Sequence, residues 1–103
     1  MIKVTVMYAN GAGSRFDMGY YCDKHMPMVR KLMGTALKGL AVEQGIGGGA
    51  HGAPPTYLAL GHLSFESVES FQAAFGPHAQ EIMNDVPNYT NTQPVVQISE
   101  VKL

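Results

Sequence analysis

Apolar and polar residues alternate along the first segment of the chain, from Ile2 to Tyr8. A period of two is typical of a β-strand with one buried face. Weaker alternation at positions 37–46 and 56–65 predicts two more strands, and the β-branched segment 94–103 predicts a fourth. The alternation of the last strand slips after Ile98, where we expect a β-bulge.

A helical pattern follows the first strand and the turn-rich segment 10–14. Asp17 has the position of an N-cap, and Phe16 and Tyr21 have the spacing of a hydrophobic staple. At roughly 100° per residue, His25 falls in the middle of the apolar face. The sequence therefore predicts an inward-pointing histidine.

Pro27 interrupts the helical pattern that contains His25. A proline cannot donate its backbone nitrogen, so the sequence predicts either a kink or a second segment that begins at Pro27 and runs to about Gly34. A later helix is predicted over 68–75, capped by Ser64 or Ser67, and a short one over 79–83. Residues 47–55, rich in glycine and proline, are expected to form a long, mobile loop.

The resulting order is βαββαβ, which predicts an α+β, ferredoxin-like fold in one domain over residues 1–103. Both helices would cover one face of a four-stranded antiparallel sheet. The other face would be left uncovered, and burial against a second copy is the simplest remedy. We expect a homodimer with sheets face to face, a dimeric α+β barrel.

Composition narrows the possible partners. The chain has 103 residues, a formal net charge of −1 and 15% charged residues, so it has no basic stripe for nucleic acid or an anionic membrane. No targeting segment or membrane-spanning apolar run is visible, and the single cysteine, Cys22, cannot form an internal disulfide. A soluble, cytoplasmic protein is expected.

Several motifs together resemble those of the EthD family, a member of the dimeric α+β barrel group. They are the Phe16-Asp17, Tyr20-Tyr21, His25 and Met26-Pro27 series, Gly76-Pro77-His78, Asp85-Val86-Pro87-Asn88-Tyr89 and Gln93-Pro94-Val95-Val96-Gln97-Ile98. The resemblance covers essentially the whole chain. It implies a pocket between helices and sheet and an accessory role in the catabolism of organic compounds such as ethers, beside an oxygenase system of the cytochrome P450 type.

We expect the first helix to aim His25, Tyr21 and Cys22 into this pocket, with Tyr8 at the end of the first strand lining it. His78 is a weaker candidate. A partly desolvated imidazole can act as a general acid or base near neutral pH. The alternative is that His25 only hydrogen-bonds a carbonyl in the core.

Other chemistry has less support. Asp17 lies about 12 Å from His25 along the helix axis and is read as a cap, not as its partner. Cys22 and His25, at i and i+3, could form a thiolate–imidazolium pair.

The four histidines have no paired spacing, so we predict no metal site and no cofactor, although a haem held by one histidine stays open. Segment 85–88 is interpreted as a structural turn.

Two functional classes remain. In the first, the protein binds a small, largely apolar organic molecule and His25 orients it. In the second, His25 is the general acid/base of a cofactor-free isomerase, cyclase or lyase.

Overall fold

The computed structural model describes residues 1–103 and contains one four-stranded antiparallel sheet. Its strands are β1 (Ile2–Ala9), β2 (Gly39–Gln44), β3 (Tyr57–Phe65) and β4 (Val95–Glu100), in the order β2-β3-β1-β4. This strand order places the two central strands, β1 and β3, beside each other. The predicted α+β, ferredoxin-like fold is confirmed.

The helical segments between the strands cover one face of the sheet. They are α1 (Met18–Tyr20), a π-helical turn (Tyr21–His25), α2 (Met26–Met33), α3 (Val68–Phe75) and α4 (Ala79–Asn84). Short 3-10 turns (Gly34–Ala36, Gly76–His78 and Val86–Asn88) join them to their neighbours. No helix is both long and apolar enough to cross a membrane.

The first helical region begins as predicted. Asp17 accepts a hydrogen bond from the backbone N–H of Tyr20 at 3.0 Å, and the rings of Phe16 and Tyr21 meet edge to face with centroids 4.9 Å apart. The cap and the staple are therefore confirmed. They fix the direction in which the chain enters the helix.

Pro27 does not break this region. The chain instead makes one wide turn before it, in which the N–H of Met26 donates to the carbonyl of Tyr21, five residues earlier. The wide turn places Pro27 in the first turn of α2, where its missing N–H costs little. It also brings Tyr21 and His25 to the buried side and leaves Cys22 exposed.

The prediction of a β-bulge in β4 is wrong. β4 pairs with β1 in unbroken register from Met7 opposite Val95 to Ile2 opposite Glu100, so it has no bulge. Its alternation slips because it is an edge strand with apolar residues exposed on both faces. Segment 47–55 is a loop without helix or strand, as predicted, and within it the Gly48 N–H donates to the Ala53 carbonyl at 2.9 Å.

Candidate functional site

A cavity of about 390 Å³ lies between the helices and the covered face of the sheet. Fifteen of its seventeen lining residues are hydrophobic, and His25 is the one lining side chain with an ionisable nitrogen. The most exposed lining residues, Met83 and Val96, are 44% and 54% exposed and mark the opening between α4 and β4. A mostly apolar cavity of this size with few polar groups is typical of a small-molecule site.

His25 is 4% exposed and is held from one side by Asp85. Its Nδ1 lies 2.9 Å from Asp85 Oδ2. The other carboxylate oxygen, Oδ1, accepts from the Tyr20 hydroxyl at 2.6 Å and from Asn88 Nδ2 at 2.9 Å. Three donors therefore fix the carboxylate, and the carboxylate fixes the imidazole.

Three tyrosines surround the other side of the imidazole. The Tyr89 hydroxyl is 3.5 Å from His25 Nε2 and 2.8 Å from the Tyr8 hydroxyl. The Tyr21 ring stacks on the imidazole with centroids 5.4 Å apart, and its buried hydroxyl has no hydrogen-bond partner. An unpaired buried hydroxyl costs about 1–3 kcal/mol, and this one is packed against Gly61 in β3.

The electrostatics of the pair follow from burial and hydrogen bonding. Burial lowers the pKa of His25 below 6.5, although Asp85 acts in the opposite direction. Burial would raise the pKa of Asp85, but the hydrogen bonds from Tyr20, Asn88 and His25 outweigh this and lower it. At neutral pH the site therefore contains an ionised carboxylate and a neutral imidazole.

Burial raises the pKa of all three tyrosine hydroxyls, so they remain protonated. Tyr8, Tyr21 and Tyr89 can therefore only donate or accept hydrogen bonds as neutral phenols.

The last turn before β4 brings Asp85 and Tyr89 to the first helix. The N–H of Asp17 donates to the carbonyl of Tyr89 at 2.7 Å, and the Thr90 hydroxyl donates to the carbonyl of Arg15 at 2.6 Å. These contacts join two segments that are more than sixty residues apart in sequence. They place the carboxylate beside the imidazole.

Three of the five residues predicted to bind the ligand line the cavity, namely Tyr8, Tyr21 and His25. Cys22 and His78 do not line it. Cys22 is exposed on the outer side of the π-helical turn, with its thiol 3.7 Å from Met18 Sδ, so it cannot pair with His25 through the cavity. His78 is half-buried in the turn between α3 and α4, away from the lining.

Sequence reasoning missed two members of the site. Asp85 was assigned to a structural turn and Tyr89 to no role, yet both contact His25. The expected partner of a purely structural His25, a core carbonyl, is wrong because the partner is the Asp85 carboxylate. The available signal was the Asp85-Val86-Pro87-Asn88-Tyr89 segment, which follows a helix that packs on the same sheet face as His25.

Three remaining expectations concern the loop, the metal and Asp17. The glycine-rich segment 45–55 contributes no residue to the cavity. No three His, Cys, Asp or Glu side chains converge closely enough to hold a metal ion. Asp17 acts as a cap, as predicted.

The helix-covered sheet and its single histidine-bearing cavity define a small α+β protein with an apolar cavity. The chain belongs to the EthD family, since the EthD domain model matches residues 11–93.

Two relatives resemble the chain over most of its length. An EthD-like protein from Ralstonia eutropha JMP134, known from its crystal structure, is 49% identical with a TM-score of 0.94, over 99% of this chain and 92% of that one. A protein of Rhodococcus erythropolis, described as an uncharacterized 11.0 kDa protein in the thcB-thcC intergenic region, is 33% identical over 88% of this chain and 85% of its own.

The fold is shared more widely. An ethyl tert-butyl ether D family protein from Bacillus halodurans C-125 has a TM-score of 0.75 at 20% identity, over 99% of both chains. At that identity the likeness concerns the fold alone.

Proposed function

We propose that the protein binds a small, largely apolar organic molecule in the cavity between helices and sheet, with His25 as its central polar contact. The observation that carries this proposal is the cavity itself, about 390 Å³ with an almost entirely hydrophobic lining. Transfer of an apolar molecule from water into such a space is favourable by about 25 cal/mol for each Å² of apolar surface buried. The whole chain acts as one domain in this proposal.

The physiological role we propose is that of an accessory protein in the catabolism of organic compounds such as ethers, in the cytoplasm, beside a cytochrome P450 type oxygenase. Membership of the EthD family supports the link to ether catabolism. The oxygenase partner comes from the family resemblance alone.

We propose further that two copies pack through the uncovered faces of their sheets. The central strands carry Thr5 and His62 there, opposite each other, and His62 bonds Thr5 at 3.2 Å and Glu43 at 2.9 Å. Because these polar groups already pair within one copy, the face can lose water at small cost. The adjoining edge strand exposes 51% of Val95, which a second copy would bury.

Native mass spectrometry of protein purified gently from the organism that encodes it tests both proposals in one spectrum. We expect a dimer that retains a small organic mass. The matched variant is Val6→Phe, which fills part of the cavity from β1 and should lose that mass while it keeps the dimer. A wild-type spectrum without bound mass, together with no binding of added apolar compounds, would contradict the binding function.

The second candidate function is a cofactor-free isomerase, cyclase or lyase with His25 as general acid/base. The observation in its favour is the His25–Asp85 pair, since a carboxylate on Nδ1 orients an imidazole and stabilises its protonated form. In this function Nε2 takes a proton from a substrate carbon and returns it at another position. His25→Gln distinguishes the two candidate functions. An enzyme that uses His25 would lose turnover and keep its affinity for the substrate, whereas a binding protein has no turnover to lose.

A further inference from the structure

The two nitrogens of His25 have different environments. Nδ1 lies 2.9 Å from a carboxylate that can only accept hydrogen bonds when it is ionised. Tyr20 and Asn88 both donate to that carboxylate, which keeps it in its ionised form. Nδ1 therefore carries the proton of the neutral imidazole, and Nε2 carries the lone pair.

The lone pair of Nε2 is poorly satisfied within the protein. The nearest donor is the Tyr89 hydroxyl at 3.5 Å, outside the usual range of about 2.7–3.2 Å for a good hydrogen bond. That hydroxyl also pairs with the Tyr8 hydroxyl at 2.8 Å, where either oxygen can be the donor. A buried acceptor with only one long hydrogen bond is poorly compensated for the water it has lost, so Nε2 is an acceptor in the cavity wall that a donor on a ligand can satisfy.

We infer that the preferred ligand is an apolar molecule that carries one hydroxyl donor, such as a phenol, an enol or a hydrophobic alcohol, and that Asp85 sets this preference by fixing the tautomer of His25. The hydroxyl donates to Nε2, and the apolar body lies against walls that include Val4, Val29 and Ile82. This inference rests on the proposed function. Asp85 acts in it as a positioning residue.

A site with this requirement distinguishes an ether from the products of its cleavage. An ether oxygen only accepts hydrogen bonds, so it cannot satisfy the lone pair of Nε2. A hydroxyl compound released when an ether is cleaved can satisfy it. Within the proposed role in ether catabolism, such a product fits this site better than the intact ether.

Three probes of nearly equal shape test the inference. Para-propylphenol has a donor, its methyl ether para-propylanisole has only an acceptor, and propylbenzene has neither. We expect the phenol to bind the wild-type protein about tenfold more tightly than the anisole in titration calorimetry, the factor expected for one ordinary hydrogen bond. Equal affinities for all three would overturn the inference and leave the binding function intact. Binding of none would overturn the binding function itself.

Asp85→Asn tests the role of the carboxylate. Tyr20 and Asn88 both donate to Oδ1, so the amide oxygen takes that position and the amide NH₂ group faces His25 Nδ1. The imidazole proton then moves to Nε2, and the phenol loses its advantage over the anisole while propylbenzene affinity stays the same. An unchanged preference in this variant would contradict the role assigned to Asp85.

Two further variants control the result. Asp17→Asn changes a carboxylate that caps α1 without lining the cavity, and it should keep the wild-type preference. Tyr89→Phe removes the hydroxyl that lies 3.5 Å from Nε2, and the preference for the phenol should stay or increase. If Asp85→Asn does not fold, Tyr89→Phe still tests which group accepts the hydrogen bond of the phenol. Loss of the preference in this variant would assign that acceptor to Tyr89 instead of His25.

Discussion

At the scale of single residues, the account depends on an imidazole that stays neutral beside a charged carboxylate. Burial lowers the pKa of His25, and the hydrogen bonds of Tyr20, Asn88 and His25 lower that of Asp85 against the effect of burial. The two shifts act on stability in separate pH ranges. The shift of His25 changes the free energy of unfolding below pH 6.5, and the shift of Asp85 changes it below pH 3.8. These pH values are the ordinary pKa values of the two side chains.

We predict that the free energy of unfolding decreases as the pH falls through 6.5, the ordinary pKa of the histidine. The unfolded chain binds a proton there while the folded chain resists protonation until its own lower pKa is reached, so acid favours unfolding. His25→Gln should remove this component. Urea denaturation of the wild type and the variant at pH 7.5 and at about pH 5 measures this component. An equal decrease in the free energy of unfolding of the two proteins would contradict its assignment to His25.

The sequence was sufficient to predict the direction of His25 but not its partner. Its inward direction follows from local periodicity and from the cap at Asp17, both of which are properties of neighbouring residues. Asp85 is sixty residues away along the chain. Its contact with His25 arises only when α4 and the first helix lie on the same face of the sheet, which no local pattern specifies.

At the scale of elements, the first helix lies very close to the middle of β3. A Cβ atom at Gly61 would collide with the Tyr21 hydroxyl oxygen and would be 2.9 Å from Met26 Cε. Glycine at this position therefore allows the π-helical turn to rest on the sheet and brings Tyr21 and His25 to the cavity. The π-helical turn itself had no sequence signal beyond Pro27, because a kink and a wide turn both accommodate a proline.

We predict that Gly61→Ala destabilises the protein by about 1–3 kcal/mol, the usual cost of overpacking a core. The matched control is Gly76→Ala, where an added Cβ meets nothing within 4 Å and little effect is expected. Tyr21→Phe should recover part of the loss in the Gly61→Ala background because it removes the clashing oxygen. Chemical denaturation of the wild type, the two single glycine variants and the double variant measures these free energies of unfolding. A loss as large for Gly76→Ala as for Gly61→Ala would contradict the prediction.

At the scale of the whole molecule, the sheet has one face covered by helices and one face open. The order of elements along the chain and the placement of the helices on one face could be predicted from the alternation of strand and helix patterns. The edge strand β4 was predicted less well, since exposure of Val95, Val96 and Ile98 on both faces obscures its period. Assembly through the open face stays a prediction.

We predict a dimer at micromolar concentration in sedimentation and a monomer for Thr5→Lys. Thr5 lies in the middle of the open face, opposite His62, so a lysine there would place a charge inside the interface. Gln72→Lys, on the exposed side of α3, is the matched control and should stay dimeric. A monomeric wild-type protein would contradict the proposed assembly.

The most direct measurement of the central claim is nitrogen NMR of the His25 ring during a titration with para-propylphenol. We predict a protonated Nδ1 and an unprotonated Nε2 at neutral pH, and only the Nε2 signal should shift strongly as the phenol binds. A proton on Nε2, or an Nε2 signal unaffected by a phenol that binds, would contradict the account.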